Sequence, residues 1–181
     1  MSSSAFRRTK HVIDTQHIRH FNHATANGDD DVLQLCINQY TPLDNLDPQP
    51  GDVTIIAAHA NGIQKELYEP LWDDLLLKVK ESSKFRIRNI WIADVAWQGE
   101  SGVLNEQKLG NDREYISRRR CRPSLTCLAN WFDHSLDLLH MINLFRKDMP
   151  RPIIGVGHSM VSKEGIVHYA SLKGYRVQAS S

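Results

Sequence analysis

Gly157-His158-Ser159-Met160 follows directly on the apolar run Pro152-Ile153-Ile154-Gly155-Val156. A serine hydroxyl is a weak nucleophile by itself. Hydrolytic sites set it on a tight turn between a strand and a helix, where its oxygen meets a histidine base and small neighbours spare the backbone from clashes. The motif has this form, which makes Ser159 the candidate nucleophile. Attack on an acyl carbon builds negative charge on the carbonyl oxygen, and backbone N–H groups must be aimed at it. One donor comes from the residue after the serine, here Met160. Another comes from the loop behind an earlier strand. His59-Ala60-Asn61-Gly62 closes the apolar run 52–58 at the matching place in the order, with Asn61 the expected donor and Ala60 and Gly62 beside it.

Other chemistry-bearing residues point elsewhere. His17, His20 and His23 are three apart but have no acidic or cysteine ligand beside them, so no metal is expected, and no cofactor either. Cys36, Cys121 and Cys127 are an odd set without a C-x-x-C pair, which predicts reduced thiols and no disulfide framework. Asp94 ends a strand and is read as a turn cap, while His134 and His140 on a helix are read as surface or packing residues. His168 follows Ser159 too closely to fold back as its base. Residues 118–122 are a basic stretch read as a solvated loop, and residues 97–109 are a candidate lining for an acyl pocket.

The elements that must position these groups can be traced by periodicity. Residues 1–20 are polar and read as disordered, with order beginning near Phe21. Strands are predicted over 32–40, 52–58, 87–95 and 152–156. A helix starts near Pro70 with Leu71, Leu75 and Val79 on its apolar face. A second starts near Trp131, with Phe132, Leu136, Leu139 and Ile142 on one face and Asp133, Asp137 and His140 on the other. Between them, residues 98–128 lose all period and read as a long loop. Strands alternating with amphipathic helices predict an α/β fold, a mostly parallel sheet with helices on both faces.

Composition sets the outer limits. A chain of 181 residues with 41% hydrophobic content suits one core. A formal charge of +1 offers no field for nucleic acid or an anionic membrane, and no apolar run reaches the roughly 18 residues of a membrane span. Met1 to Lys10 lacks a secretory apolar stretch, so an intracellular, soluble protein is expected. The oligomeric state is not legible.

The segments Ile55-Ile56-Ala57-Ala58-His59-Ala60-Asn61-Gly62, Trp97-Gln98-Gly99-Glu100-Ser101-Gly102-Val103-Leu104-Asn105, Trp131-Phe132-Asp133-His134-Ser135 and Pro150-Arg151-Pro152-Ile153-Ile154-Gly155-Val156-Gly157-His158-Ser159-Met160 resemble a group of fungal α/β-hydrolases. The group includes the hydrolases of host-selective toxin clusters, of the AK-toxin and AF-toxin kind, and a yeast peroxisomal lipase. The resemblance implies hydrolysis or acyl transfer on a small-molecule acyl substrate, a fatty-acid-like ester or thioester. It also implies a peroxisomal setting, although Ala179-Ser180-Ser181 is not a peroxisomal ending. Two departures stand out. Val161 occupies the place of a second glycine, and residues 161–181 match nothing in the group; residues 113–130 read as an insertion. The family's acid and histidine follow the serine on loops after later strands, so neither is expected in this chain. The domain is therefore read as a partial α/β-hydrolase over 21–160, with inactivity of the chain alone as one expectation and a non-catalytic fragment binding an acyl ligand or partner as the rival.

Overall fold

β-Branched side chains crowd a helix but suit a pleated surface, and Val53-Thr54-Ile55-Ile56 opens a fully buried strand inside the sheet. The computed structural model describes residues 5–19, 24–28, 30–110 and 131–159. Its elements are β1 (Phe6–Asp14), β2 (Gln34–Pro42), β3 (Val53–Ala58), a 3-10 turn (Lys65–Tyr68), α1 (Glu69–Ser82), β4 (Ile87–Ala93), α2 (Gly99–Leu104), α3 (Trp131–Leu144) and β5 (Ile153–Gly157). The strands form one sheet in the order β1-β2-β4-β3-β5. β3 runs parallel to both β4 and β5, as the alternating pattern predicts. β1 and β2 are joined to the sheet by antiparallel ladders, so the sheet is mixed.

Helices cover both faces. Ile55 and Ala57 of β3, with Ile90 and Ile92 of β4, pack against Trp72, Leu76 and Val79 of α1. The alternate residues Ile56, Ala58, Trp91 and Ala93 pack against Leu138, Met141 and Ile142 of α3. Each such fully buried aliphatic side chain stabilises by about 1.5–3 kcal/mol. The buried face of α1 is turned from the expected one: Trp72 and Leu76 point inward, while Leu71 is 48% exposed. The spacings 71/75/79 and 72/76/79 fit a helical face equally well, and the larger apolar area of Trp72 decides between them.

Three further expectations fail. The segment read as disordered over residues 1–20 contains β1, paired along its length with β2 from Phe6↔Pro42 to Asp14↔Gln34. It is an edge strand, and its Arg7, Arg8 and Lys10 are the charges by which sheet edges avoid further pairing; those charges made it look like a polar tail. Within the stretch read as loop, α2 forms because Asp94 caps it, its Oδ2 accepting the N–H groups of Glu100 at 2.9 Å and Ser101 at 3.3 Å. Asp94 is thus the cap that its position at a strand end suggested. The third failure is the face of α3. Asp133 and Asp137 of the expected polar face are buried while Leu136 of the expected apolar face is 39% exposed, although Ile142 is buried as expected and His134 is buried as a packing residue. The chain after β1 crosses this helix and supplies partners: the Gln16 N–H and Arg19 Nη1 donate to the two oxygens of Asp137 at 2.8 and 2.9 Å. With residues 15–19 treated as disordered, nothing in the sequence could have justified burying that carboxylate.

Burial pushes Asp137 up to about 6 against the pull of Arg19, and pushes His134, wholly buried, down to about 3. A depressed histidine is neutral in the fold and protonates in the unfolded chain, so its contribution is intact above 6.5 and is lost as pH falls toward 3. Asp137 acts oppositely, since the folded chain takes up its proton first. The histidine shift is the larger, so after the offset by Asp137 stability should show a net fall of about 1 kcal/mol between pH 7 and pH 4. Urea midpoints for the wild type and His134→Leu test this, and an acid loss of the same size in the variant would refute the assignment. A second expectation concerns Gly99, which has φ +58° and whose added Cβ would stand 2.6 Å from Asp94 Oδ1. Gly99→Ala should destabilise by about 2–4 kcal/mol, read as a lowered urea midpoint with an unchanged slope.

Candidate active site

β5 and β3 pair in register up to Gly157↔Ala58, and the His158 N–H makes one more bond, 3.2 Å to the Ala58 carbonyl. One residue further, Ser159 has φ 66°. Non-glycine residues enter this left-handed region rarely, at a cost on the order of 1–3 kcal/mol. The strain turns the chain sharply where the strand ends and leaves Ser159 exposed. The helix that the reading of Gly157-His158-Ser159-Met160 calls for after this turn would begin at residues outside the described ones.

On the adjacent strand, β3 runs into the loop His59-Ala60-Asn61-Gly62, which is pinned from three sides. His59 is completely buried. Its Nδ1 lies 2.9 Å from the Ala60 carbonyl and its Nε2 accepts the Val95 N–H at 3.1 Å, so the proton sits on Nδ1 and the ring is neutral. Burial lowers its pKa further from the ordinary range. The Ala60 N–H donates to the Tyr68 hydroxyl at 2.9 Å. Gln98 closes the third side: its Oε1 takes the Gly62 N–H at 3.2 Å while its Nε2 donates to Asn61 Oδ1. Positive φ at Gly62, 75°, lets the loop turn here. Of the three neighbouring N–H groups, those of Ala60 and Gly62 are engaged. That of Asn61 has no acceptor among the described residues.

Beneath the loop lies a buried charge cluster. Lys65, with no exposed surface, places Nζ 2.7 Å from Asp94, 3.0 Å from Glu66 and 3.2 Å from Glu100. Burial alone would lower its pKa, yet the Asp94 and Glu66 carboxylates outweigh burial and hold it above the ordinary value, so the ammonium stays charged. Glu100 also binds Lys10 of β1 at 2.7 Å. The cluster therefore ties β1, the 3-10 turn, the end of β4 and α2 into one unit.

Ser159 and Asn61 thus leave the same edge of the sheet on neighbouring strands. Met160, Val161, His168, His20, His23, Cys121, Cys127 and residues 113–130 lie outside the described residues. Cys36 is a buried free thiol. His59 commits both ring nitrogens within its own loop and to Val95, and so has none to take a proton from Ser159. Sequence reasoning missed Lys65, Tyr68 and Gln98. Gln98 alone carried a signal, standing in a motif singled out by resemblance. Among the described residues no group of three or more His, Cys, Asp or Glu could hold a metal ion, and no helix is long and apolar enough to cross a membrane.

Comparison with known proteins bears on this geometry. No protein-family model matches the chain. The type I acyl-CoA thioesterase mpaH′ of Penicillium brevicompactum is 45% identical over 160 residues, which cover 88% of this chain and 32% of that protein. The type I acyl-CoA thioesterase mpaH of Penicillium roqueforti is 44% identical over the same shares. The chain thus spans about a third of the length of these relatives. Among solved structures, the peroxisomal α/β-hydrolase Lpx1 of Saccharomyces cerevisiae superposes with a TM-score of 0.64 at 18% identity, covering 88% of this chain and 39% of that one. That likeness carries the fold. The chain has a partial α/β-hydrolase fold and is similar along most of its length to fungal type I acyl-CoA thioesterases.

Proposed function

We propose that the chain provides the nucleophile and oxyanion part of a serine hydrolase that cleaves an acyl-CoA thioester. The observation that supports it most is the strained Ser159, φ 66°, at the end of β5, beside the β3 loop whose Asn61 N–H is left without an acceptor among the described residues. In this reading Ser159 Oγ attacks the thioester carbon and its proton passes to a base. The carbonyl oxygen gathers charge against the N–H groups of Asn61 and Met160, and the C–S bond breaks to release coenzyme A as the thiol. Water then hydrolyses the acyl-serine ester to the free acid. The similarity to acyl-CoA thioesterases supports the thioester as the bond cleaved. The resemblance to hydrolases of toxin clusters supports a fatty-acid-like intermediate of secondary metabolism as the acyl group, handled in a peroxisome. Residues 97–109, with Gln98 already at the loop, are proposed to line the acyl pocket.

The acid and the histidine that complete such a serine are proposed to lie on none of the 181 residues. Nucleophile and oxyanion donors without a base still give part of the chemistry. A fluorophosphonate should therefore label the folded chain slowly and stoichiometrically, fluoride leaving phosphorus as the bond to Ser159 Oγ forms. Intact-mass spectrometry of the wild type and Ser159→Ala decides it: a folded wild type that takes up no label, or a variant that takes up as much, overturns the reading. Turnover is a separate matter. Without a base to activate Ser159 or the deacylating water, hydrolysis of short p-nitrophenyl esters or acyl-CoA should not exceed the background of Ser159→Ala. Ser159-dependent turnover by the 181-residue chain would show that a base is present after all.

A further inference from the structure

Beyond the last ladder bond, from the His158 N–H to the Ala58 carbonyl, β3 and β5 part. The Asn61 N–H and Ser159 then stand on separate loops, so something other than the sheet must fix the distance between them. The Tyr68 hydroxyl lies between those loops. It is 2.9 Å from the Ala60 nitrogen and 2.8 Å from His158 Nδ1. Ala60 and His158 are the residues immediately before Asn61 and Ser159.

We propose that Tyr68 is the positioning residue that sets the Asn61 N–H against Ser159, its one hydroxyl oxygen bridging the residue before each. This rests on the reading of Ser159 as the nucleophile. The proton inventory fixes the direction of both bonds. The Ala60 N–H can only donate, so the hydroxyl accepts it, and its own single proton goes to His158 Nδ1. His158 therefore carries its proton on Nε2. Burial raises the Tyr68 phenol above its ordinary pKa, so the bridging proton stays in place at neutral pH. The ring is held in turn, stacked on buried Trp72 with centroids 6.0 Å apart and planes 22° apart. Tyr68 ends the 3-10 turn that also carries Lys65, so the bridge is anchored in the charge cluster below. An N–H that must meet a developing oxyanion works only within a few tenths of an ångström, and such errors multiply into large losses of rate.

Tyr68→Phe removes the oxygen and keeps the ring on Trp72, which makes it the informative variant. In the full 181-residue chain, ¹⁵N spectra of the His158 ring should change from a fixed Nε2–H tautomer with a hydrogen-bonded Nδ1 to averaged tautomers. The Ala60 amide should exchange faster. Fluorophosphonate labelling of Ser159 should slow by roughly tenfold to a hundredfold. His158→Leu should slow labelling by the same factor, and the double variant by no more, because both break one bridge. Wild-type labelling rates in Tyr68→Phe, or unchanged His158 nitrogen signals, overturn the proposal. A wild-type chain whose Ser159 is never labelled overturns the hydrolase reading and the positioning role with it, while the His158 signals still report separately whether the bridge exists.

Discussion

Parallel pairing is the constraint on which everything else in this structure rests. Two parallel strands end at the same edge, and the chain must cross the sheet and come back before it can pair again. β3 is parallel to β4 on one side and β5 on the other. Three loops therefore leave one edge side by side: His59 to Gly62 from β3, Asp94 to Gln98 from β4, and His158 with Ser159 from β5. Ligand sites of open α/β sheets form at such edges. Residues about a hundred positions apart in the chain become neighbours through strand direction alone.

The sheet brings the loops together, and buried polar groups then hold their shape. Lys65 without water is tolerable only because three carboxylates surround it. Asp94 in turn needs the N–H groups of α2 as well as Lys65. His59 is kept neutral between Ala60 and Val95, and Gln98 joins the β4 loop to the β3 loop. None of these groups is replaceable by a hydrophobe without leaving its partner unsatisfied, and such networks favour a single arrangement over several similar ones. On the opposite face Arg19 and Asp137 do the same for α3.

What the sequence disclosed follows from which interactions are local. Strand character at Val53–Ala58 and Ile87–Ala93 is written in runs of apolar and β-branched residues, and the serine turn in a four-residue motif, so both were legible. β1 was not, because an edge strand carries charge where a central strand carries valine. The inward face of α3 was not, because Asp137 is buried by a partner 118 positions away. α2 was hidden because its capping carboxylate lies outside the helix and before it in the chain. Asn61 was named from its place in the order, whereas the acceptors that engage the N–H groups of its neighbours, Tyr68 and Gln98, come from other segments and could not be placed by order alone. Charge in place of apolar residues hid β1, and partners outside the element, near for α2 and far for α3, hid the others.

The Lys65, Asp94 and Gly99 arrangement also bears on how this protein can drift. A side chain at position 99 would occupy the space of the Asp94 carboxylate, and loss of that carboxylate would deprive Lys65 of its nearest counter-charge. Any one of the three changing first passes through a damaged intermediate, so neutral wandering at these sites is blocked. Descendants should keep all three together or show all three replaced. The path between those two states would have to begin at Lys65, where an apolar residue removes the charge that the carboxylate answers.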